Sequence, residues 1–360
     1  MEIKNLNFPT HEKVMHCKDK SSGLNAVISI HDTNFGKTCL GGCRMYPYSS
    51  DNEMIQDALE LSRKMTSKNA LANLCFGGSK CVIRGDPKKD KTEKLLLSMG
   101  KFINSFKGKI YTGQDSGISS EDVNLMAKET EYLVGRSQKS GDPSIPTALG
   151  IYFGLKGAVK SKLNQEDFSD LDIIIFGAGS VGTNLVKIMQ NESCKIYLTD
   201  IEKKNIKRIE KEFPIIPIYE TEKIFEIPCN IFSPNVTGST LKGGALNKKR
   251  LISIYNNRKN KNSVIIGGGT NVIFDNFSTN KYAGSLENLT VIPPQIINAG
   301  GVISVASEIT GETRNQVYEK ISKIGNTIEE IIIESEKTSF SLNEISENLA
   351  FERIRCKKYV

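Results

Sequence analysis

Residues 171–182 read Leu171-Asp-Ile-Ile-Ile-Phe-Gly177-Ala-Gly179-Ser180-Val181-Gly182. A short apolar run that stops at glycine reads as a buried strand over Asp172–Phe176, and Val181–Gln190 continues at helical spacing. A GxGxxG placed between a strand and a helix is the dinucleotide-binding turn. Gly177 permits the tight turn, Gly179 lets the backbone approach a pyrophosphate, and Gly182 allows the helix to pack closely on the strand. Ser180 and Val181 open that helix, whose unpaired N–H groups and dipole favour phosphate. Lys195–Asp200 then reads as a second strand. Asp200 follows Gly182 by 18 residues. A carboxylate there can accept from ribose hydroxyls and would repel a 2′-phosphate, so NAD is expected over NADP. Lys203 and Lys204 follow closely and pull the other way.

Outward from this turn, Ile215–Tyr219, Cys229–Ser233, Val264–Ile266 and Val291–Ile292 are further strand candidates. Strands alternating with helices imply a parallel sheet, so the fold class is α/β with a Rossmann domain. Upstream, Asn25–His31 alternates as a strand does, and Lys80–Arg84 and Lys109–Tyr111 read as short strands. Glu53–Met65 and Thr92–Phe106 have helical spacing. Gln138–Pro146, rich in Pro, Gly and Ser, is the boundary candidate, and Thr147–Ser161 reads as a helix beyond it. The expected division is 1–143 for a first domain and 144–325 for the dinucleotide domain. Apolar spacing at Val317, Ile321, Ile324 and Ile328 marks a late helix, and the C-terminal helices over 326–360 are expected to pack back on the first domain.

The chain has 360 residues, more than one hydrophobic core usually serves. Its formal charge is +7, but the lysines are interleaved with acids and no aromatic residues alternate with them. That pattern argues against nucleic acid as a partner. No apolar run reaches the ~18–20 residues of a membrane span. The first twenty residues have no apolar core and no small-residue cleavage site, so a cytoplasmic location is expected. Eight cysteines form no CxxC or zinc spacing, so reduced thiols and no metal are expected. The three histidines all lie within the first 31 residues, which leaves acid–base work elsewhere to other side chains.

Four first-domain segments combine glycine with charge: Gly41-Gly42-Cys43-Arg44-Met45, Met65-Thr-Ser-Lys68, Gly77-Gly78-Ser79-Lys80 and Thr112-Gly113-Gln114-Asp115-Ser116-Gly117. A lysine beside glycines can sit close to a ligand or another backbone, although any one of these lysines alone is more often a solvated charge.

In these segments the chain resembles the Glu/Leu/Phe/Val dehydrogenases, in the branch acting on apolar amino acids. The resemblance runs from about His11 to past residue 350. Its clearest parts are KDKSSGLNAVISIHDTNFG, LGGCRM, LSRKMTSKNALANLCFGGSKCVIRGDP, TGQDSG, KSGDPSIPTALGIYFGLKGAV and INAGGVISVASE. It implies an N-terminal amino-acid-dehydrogenase substrate domain and a Rossmann NAD domain with a cleft between them. It implies that Lys68 binds the substrate carboxylate, helped by Gly41 and Gly42, and that Lys80 and Asp115 are catalytic. It places Thr147, Asn271 and Asn298 at the nicotinamide, with Asn271 also near the substrate and with Gly300 and Gly301 beside Asn298. It sets Leu40, Gly113, Val302 and Val305 around the substrate side chain. Three departures stand out: Cys43 where threonine is usual, Gln114 before the aspartate, and Thr270-Asn271 for the common Asn-Asn.

The implied reaction is reversible oxidative deamination of an apolar L-amino acid to a 2-oxo acid, ammonia and NADH. A lysine whose pKa is lowered by burial and by a second cation can act as general base toward water. Lys80 would be that base, Lys68 the second cation, and Asp115 would exchange protons with the amine. A hinge near Ser140–Pro146 would permit closure. The resemblance also implies a homo-oligomer, a dimer or an octamer. Two other readings stay open. One is a hydroxyl dehydrogenase pairing Lys with Asp, of the shikimate dehydrogenase type. The other is a non-catalytic NAD-binding sensor, against which the joint presence of Lys68, Lys80 and Asp115 argues.

Overall fold

The computed structural model describes residues 1–33, 36–136, 141–236, 245–259, 263–270 and 286–357. By its contacts the chain forms two compact units. One comprises Met1–Pro143, Val302–Thr313 and Asn348–Val360, the other Ser144–Gly301 and Arg314–Glu347.

The first unit is built on a mixed six-stranded sheet of order β1-β2-β3-β5-β4-β6. Its strands are β1 (Glu2–Leu6), β2 (Lys13–Asp19), β3 (Leu24–Asp32), β4 (Cys39–Tyr46), β5 (Gly77–Arg84) and β6 (Ile110–Gln114). The first pairings are antiparallel, and β4 runs parallel to both β5 and β6. Alternation is clear only in β3. In β4, CLGGCRMY, two glycines and an arginine interrupt it, because this strand is buried on both faces around a polar site. Helix α1 (Asp51–Leu71) starts where the Ser50 side chain accepts from the Glu53 N–H, and acids occupy its first turn. It runs past the predicted end at Met65 because Asn69, Ala70 and Leu71 are buried as well. Met54, Ala58 and Leu59 pack on Val14, Val27 and Val82 of the sheet. Helix α2 (Glu93–Asn104), capped by Thr92, and α3 (Ser120–Met126), with a capping box at Ser119 and Asp122, cover the opposite face. There Leu95, Met99, Phe102 and Val123 meet Ile28, Ile30, Cys43 and Cys81.

The second unit carries an all-parallel sheet of order β12-β11-β10-β7-β8-β9. The strands are β7 (Asp172–Phe176), β8 (Lys195–Thr199), β9 (Ile216–Pro217), β10 (Ile231–Pro234), β11 (Val264–Ile266) and β12 (Leu289–Val291). The chain starts at β7, builds outward through β8 and β9, then returns to build the other side. This is the doubly wound Rossmann order, and its direction reverses at β7. Helices α4 (Ser144–Leu163) and α5 (Ser180–Met189) pack against each other, and Asn184 donates to the Ser144 hydroxyl at 2.9 Å.

The C-terminal stretch divides differently from the expectation for 326–360. The helix Arg314–Lys337 packs on α4 within the second unit, and only Asn348–Val360 groups with the first. The reason is a glycine groove. A Cβ at Gly157 would lie 2.4 Å from the Gly325 carbonyl, and one at Gly154 would lie 2.7 Å from Ile328 Cδ1. Ile324 and Ile328 enter the space left by Gly150 and Gly154, and at Gly157 and Gly325 backbone meets backbone. In the last helix, Leu342–Lys357, Arg353 donates to the Leu71 carbonyl at the end of α1 at 2.5 Å.

Candidate active site

Strand register brings the charged residues together. Gly42 of β4 lies opposite Lys80 of β5 on one side and Gly113 of β6 on the other. Asp115 leaves the end of β6, and its carboxylate Oδ2 lies 2.5 Å from Lys80 Nζ. The Lys80 side chain is 7% exposed and that of Asp115 22%. A Cβ at Gly42 would stand 3.3 Å from Lys80 Nζ and 3.2 Å from Asp115 Cβ. The missing side chain of Gly42 is therefore the space in which the pair forms. Gly41 meets a different constraint, since its Cβ would strike the Ser79 carbonyl at 1.9 Å.

The glycines of Gly77-Gly78-Ser79-Lys80 seat α1. A Cβ at Gly78 would fall 2.2 Å from the Thr66 nitrogen and 2.3 Å from the Ser62 carbonyl, so helix backbone rests directly on strand. Buried Asn69 secures the crossing by donating to the Leu40 and Gly77 carbonyls at 3.2 and 2.8 Å. This docking brings half-buried Lys68, in the last turn of α1, into the field of Lys80.

Burial and then the Lys80 charge push the Lys68 amine down to about 8, against a smaller opposing pull from Asp115. The sequence reading assigns the lowered amine to Lys80 with Lys68 as its perturber. In the structure Lys80 holds the Asp115 carboxylate, and Lys68 stands in the field of both. Burial alone would raise the Asp115 carboxyl. Lys80 and then Arg44 outweigh it and hold the group well below the usual carboxylate range.

Arg44 is a member that sequence reasoning missed. Its Nε lies 3.3 Å from Asp115 Oδ2 and its Nη1 3.2 Å from Asp57 Oδ2 of α1, and the Tyr48 hydroxyl donates to the same Asp57 oxygen. The available signal was an arginine inside an otherwise apolar strand sequence. Lys68, Lys80 and Arg44 set three cations against Asp57 and Asp115. The surplus positive charge suits a ligand carboxylate.

The positions named for a side-chain pocket also belong to the first unit. Leu40 is fully buried. Val302 and Val305 are half-buried on one face of the helix Gly300–Thr310. Val305 approaches Gly135, whose N–H donates to Glu308 Oε1 at 3.0 Å. Gly113 does not face open space. Its Cβ would lie 2.7 Å from the Val134 carbonyl, because the segment 133–134 runs beside β6. The place of a side chain at Gly113 is thus already occupied by backbone.

The second unit assembles the glycine turn. Gly177, at φ +109°, ends β7, and its Cβ would lie 2.7 Å from the Asn235 carbonyl. Gly182 is packed so that a Cβ would meet the Gly177 carbonyl at 1.9 Å, while one at Gly179 meets nothing within 4 Å. Two glycines are thus required by packing and the third leaves an uncovered stretch of backbone at the start of α5, before Ser180 and Val181. Asp200 Oδ2 accepts from the Ala178 N–H at 2.6 Å, and Oδ1 from the Glu202 N–H at 2.8 Å. Its carboxylate therefore lies against the turn.

Asn298 donates to the Gly269 carbonyl at 3.2 Å, and Asn235 Oδ1 accepts from the Gly269 N–H at 2.9 Å. The two asparagines hold the loop after β11, a role for Asn235 that the sequence reading did not contain. Half-buried Thr147 lies in the first turn of α4. Gly300 lets the next helix begin against that turn, since its Cβ would strike the Pro146 carbonyl at 1.8 Å. Asn271 lies outside the described residues.

Burial pushes the thiols of Cys39, Cys81 and Cys229 up to about 12. Among the described residues no cluster of His, Cys, Asp or Glu is arranged to hold a metal, and no helix is long and apolar enough to cross a membrane.

The chain is similar to known proteins over nearly its whole length. The family model described as Glu/Leu/Phe/Val dehydrogenase, dimerisation domain, matches residues 11–139. Leucine dehydrogenase of Bacillus cereus is 34% identical over 97% of this chain and 92% of its own length. Phenylalanine dehydrogenase of Bacillus thermotolerans is 33% identical over 96% of this chain and 89% of its own. The crystal structure of L-tryptophan dehydrogenase from Nostoc punctiforme matches with a TM-score of 0.81 at 30% identity, covering 97% of each chain.

Proposed function

Since this chain belongs to the Glu/Leu/Phe/Val dehydrogenase family, and so to the amino acid dehydrogenases, we propose that it catalyses the reversible NAD-dependent oxidative deamination of an apolar L-amino acid. The observation that carries the reading is the Lys80–Asp115 pair at 2.5 Å beside a second, depressed lysine, Lys68. A hydroxyl dehydrogenase needs one proton acceptor for its substrate. Deamination needs groups that serve the amine and the water in turn, and a cation for the carboxylate.

When bound, NAD accepts the hydride from the substrate α-carbon. Lys68 pairs with the substrate carboxylate, which restores its full charge and fixes the α-carbon. Asp115, held ionised by Lys80 and Arg44, takes a proton from the substrate ammonium and later returns one to the departing amine. Lys80, having released its own proton to solvent, takes one from the water that adds to the imine, which accounts for the one proton that the net reaction releases. Leu40, Val302 and Val305 supply an apolar surround with no countercharge for a side-chain carboxylate.

The dinucleotide fits the second unit. Gly179 exposes backbone where a pyrophosphate would lie, with the N–H groups of Ser180 and Val181 behind it. Asp200 favours NAD over NADP by repelling a 2′-phosphate. We place Thr147 and Asn298, with Asn271, near the nicotinamide. We further propose a cytoplasmic homo-oligomer, with the division near residues 143–144 separating substrate and dinucleotide functions.

The test is a panel of L-amino acids with NAD, followed at the NADH absorbance band. Leucine, valine, phenylalanine or tryptophan should support NADH formation, with glutamate poor. A preparation that oxidises glutamate best, or no amino acid at all, refutes the reading.

A further inference from the structure

Behind the pair to which we assign the chemistry lies a chain of polar groups, Arg44, Asp57 and Tyr48, to which that scheme gives no proton-transfer step. Arg44 reaches Asp115 Oδ2 with Nε and Asp57 Oδ2 with Nη1, at 3.3 and 3.2 Å. Its side chain is 11% exposed. Tyr48 donates to the same Asp57 oxygen. Arg44 stands on β4, Asp57 on α1, and Tyr48 in the connection between them. The guanidinium thus ties strand, helix and the end of β6 through one planar group.

We propose that Arg44 is a positioning residue for Asp115, and that Asp57 and Tyr48 hold its guanidinium in place. Lys80 and Arg44 both address Oδ2, one from β5 and one from β4. Two donors on one oxygen fix the carboxylate plane as well as its place, whereas a single flexible lysine would leave it to swing. Without Asp57, the far nitrogen of Arg44 would have no anion, and the fork could turn away. Partial burial makes the arrangement steep: removing one member leaves the others unbalanced in a poorly solvated place.

This inference rests on the proposed reaction, and its test is built to separate the two. The charged and titratable groups facing Asp115 are Lys80 from β5, Arg44 and the protonated thiol of Cys43 from β4, and Lys68 from α1, with Asp57 and Tyr48 behind Arg44. Arg44→Gln removes the charge and the fork. Arg44→Lys keeps the charge but cannot bridge both carboxylates. Asp57→Asn leaves Arg44 intact and loosens its hold.

Two measurements are made on the full-length protein. The first is kcat and KM for the preferred amino acid across pH. Arg44→Gln should lower kcat by about 10- to 100-fold, within the range of a general acid–base group. One stabilising cation is then gone, so Asp115 protonates at higher pH and the acid limb of the profile moves upward. Arg44→Lys should keep the limb in place while losing part of kcat, and Asp57→Asn should fall between. The second measurement is the crystal structure of Arg44→Gln beside the wild type at one pH. The Asp115 carboxylate should have turned from Lys80. A variant with kcat within twofold of wild type and an unmoved limb overturns the proposal. So does a crystal structure with Asp115 superimposed on its wild-type place. If the wild type oxidises no amino acid, the reaction is refuted, and the crystal structures alone decide the positioning role.

Discussion

One lysine and one glycine show how far residue identity alone carries the chemistry. Lys68 is the depressed amine, brought to about 8 by burial and Lys80. A lowered pKa means that its charge is complete well below that value and is lost as pH rises through it. Affinity for the 2-oxo acid, which has no amine to titrate, should therefore weaken by about tenfold per pH unit above about 8. Calorimetric titration from about two pH units below that value to about two above it reads this directly. Lys68→Arg should remove the limb, and an identical limb in the variant would assign it to another group. Gly113 carries the opposite lesson. A methyl there meets the Val134 carbonyl at 2.7 Å, so Gly113→Ala should destabilise the protein by about 1–3 kcal/mol as overpacking does. The displaced Val134–Gly135 segment lies beside Val305, so the leucine-to-phenylalanine ratio of kcat/KM should shift with the stability loss. A changed ratio at wild-type stability would show that the methyl enters open space instead.

At the scale of elements, the strand–turn–helix over 172–189 separates what a motif means for packing from what it means for binding. Gly182→Ala places a methyl 1.9 Å from a carbonyl of the same turn, and α5 must move off the strand. Gly179→Ala adds a methyl that touches no protein atom within 4 Å, on backbone that is not left-handed. Gly182→Ala should lower the thermal midpoint and NAD affinity together, while Gly179→Ala should keep the midpoint and lose affinity alone. Calorimetric unfolding with and without NAD distinguishes them. Equal midpoints for the two variants would contradict the packing account. The same distinction runs through the first unit, where Gly78 seats α1 and Gly42 houses the Lys80–Asp115 pair. Strand β4 was hard to read for that reason: glycines and an arginine required by neighbours replace the alternation that identifies β3.

On the scale of the whole molecule, the chain does not keep its units in sequence order. The helix Arg314–Lys337 stays on α4 because Gly150, Gly154, Gly157 and Gly325 form a groove between them, and residues 348–360 then return to the first unit. Apolar spacing at Ile321, Ile324 and Ile328 identified the helix but not its partner, since an apolar stripe specifies burial and not the surface that buries it. What the sequence determined by itself was local or carried by motif. The glycine turn with its flanking strand and helix follows from periodicity and steric freedom, which are properties of adjacent residues. The candidate pair Lys80 and Asp115, with Lys68, was named from motif resemblance. The tertiary structure decided that the Lys68 amine is depressed, that Arg44 and Asp57 extend the charged chain, what fills the space beside Gly113, and where the C-terminal helices lie. Each of these depends on residues far apart in sequence. Electrostatic and steric energies act over a few ångströms, and only the register of β4, β5 and β6 and the seating of α1 bring those residues within that reach.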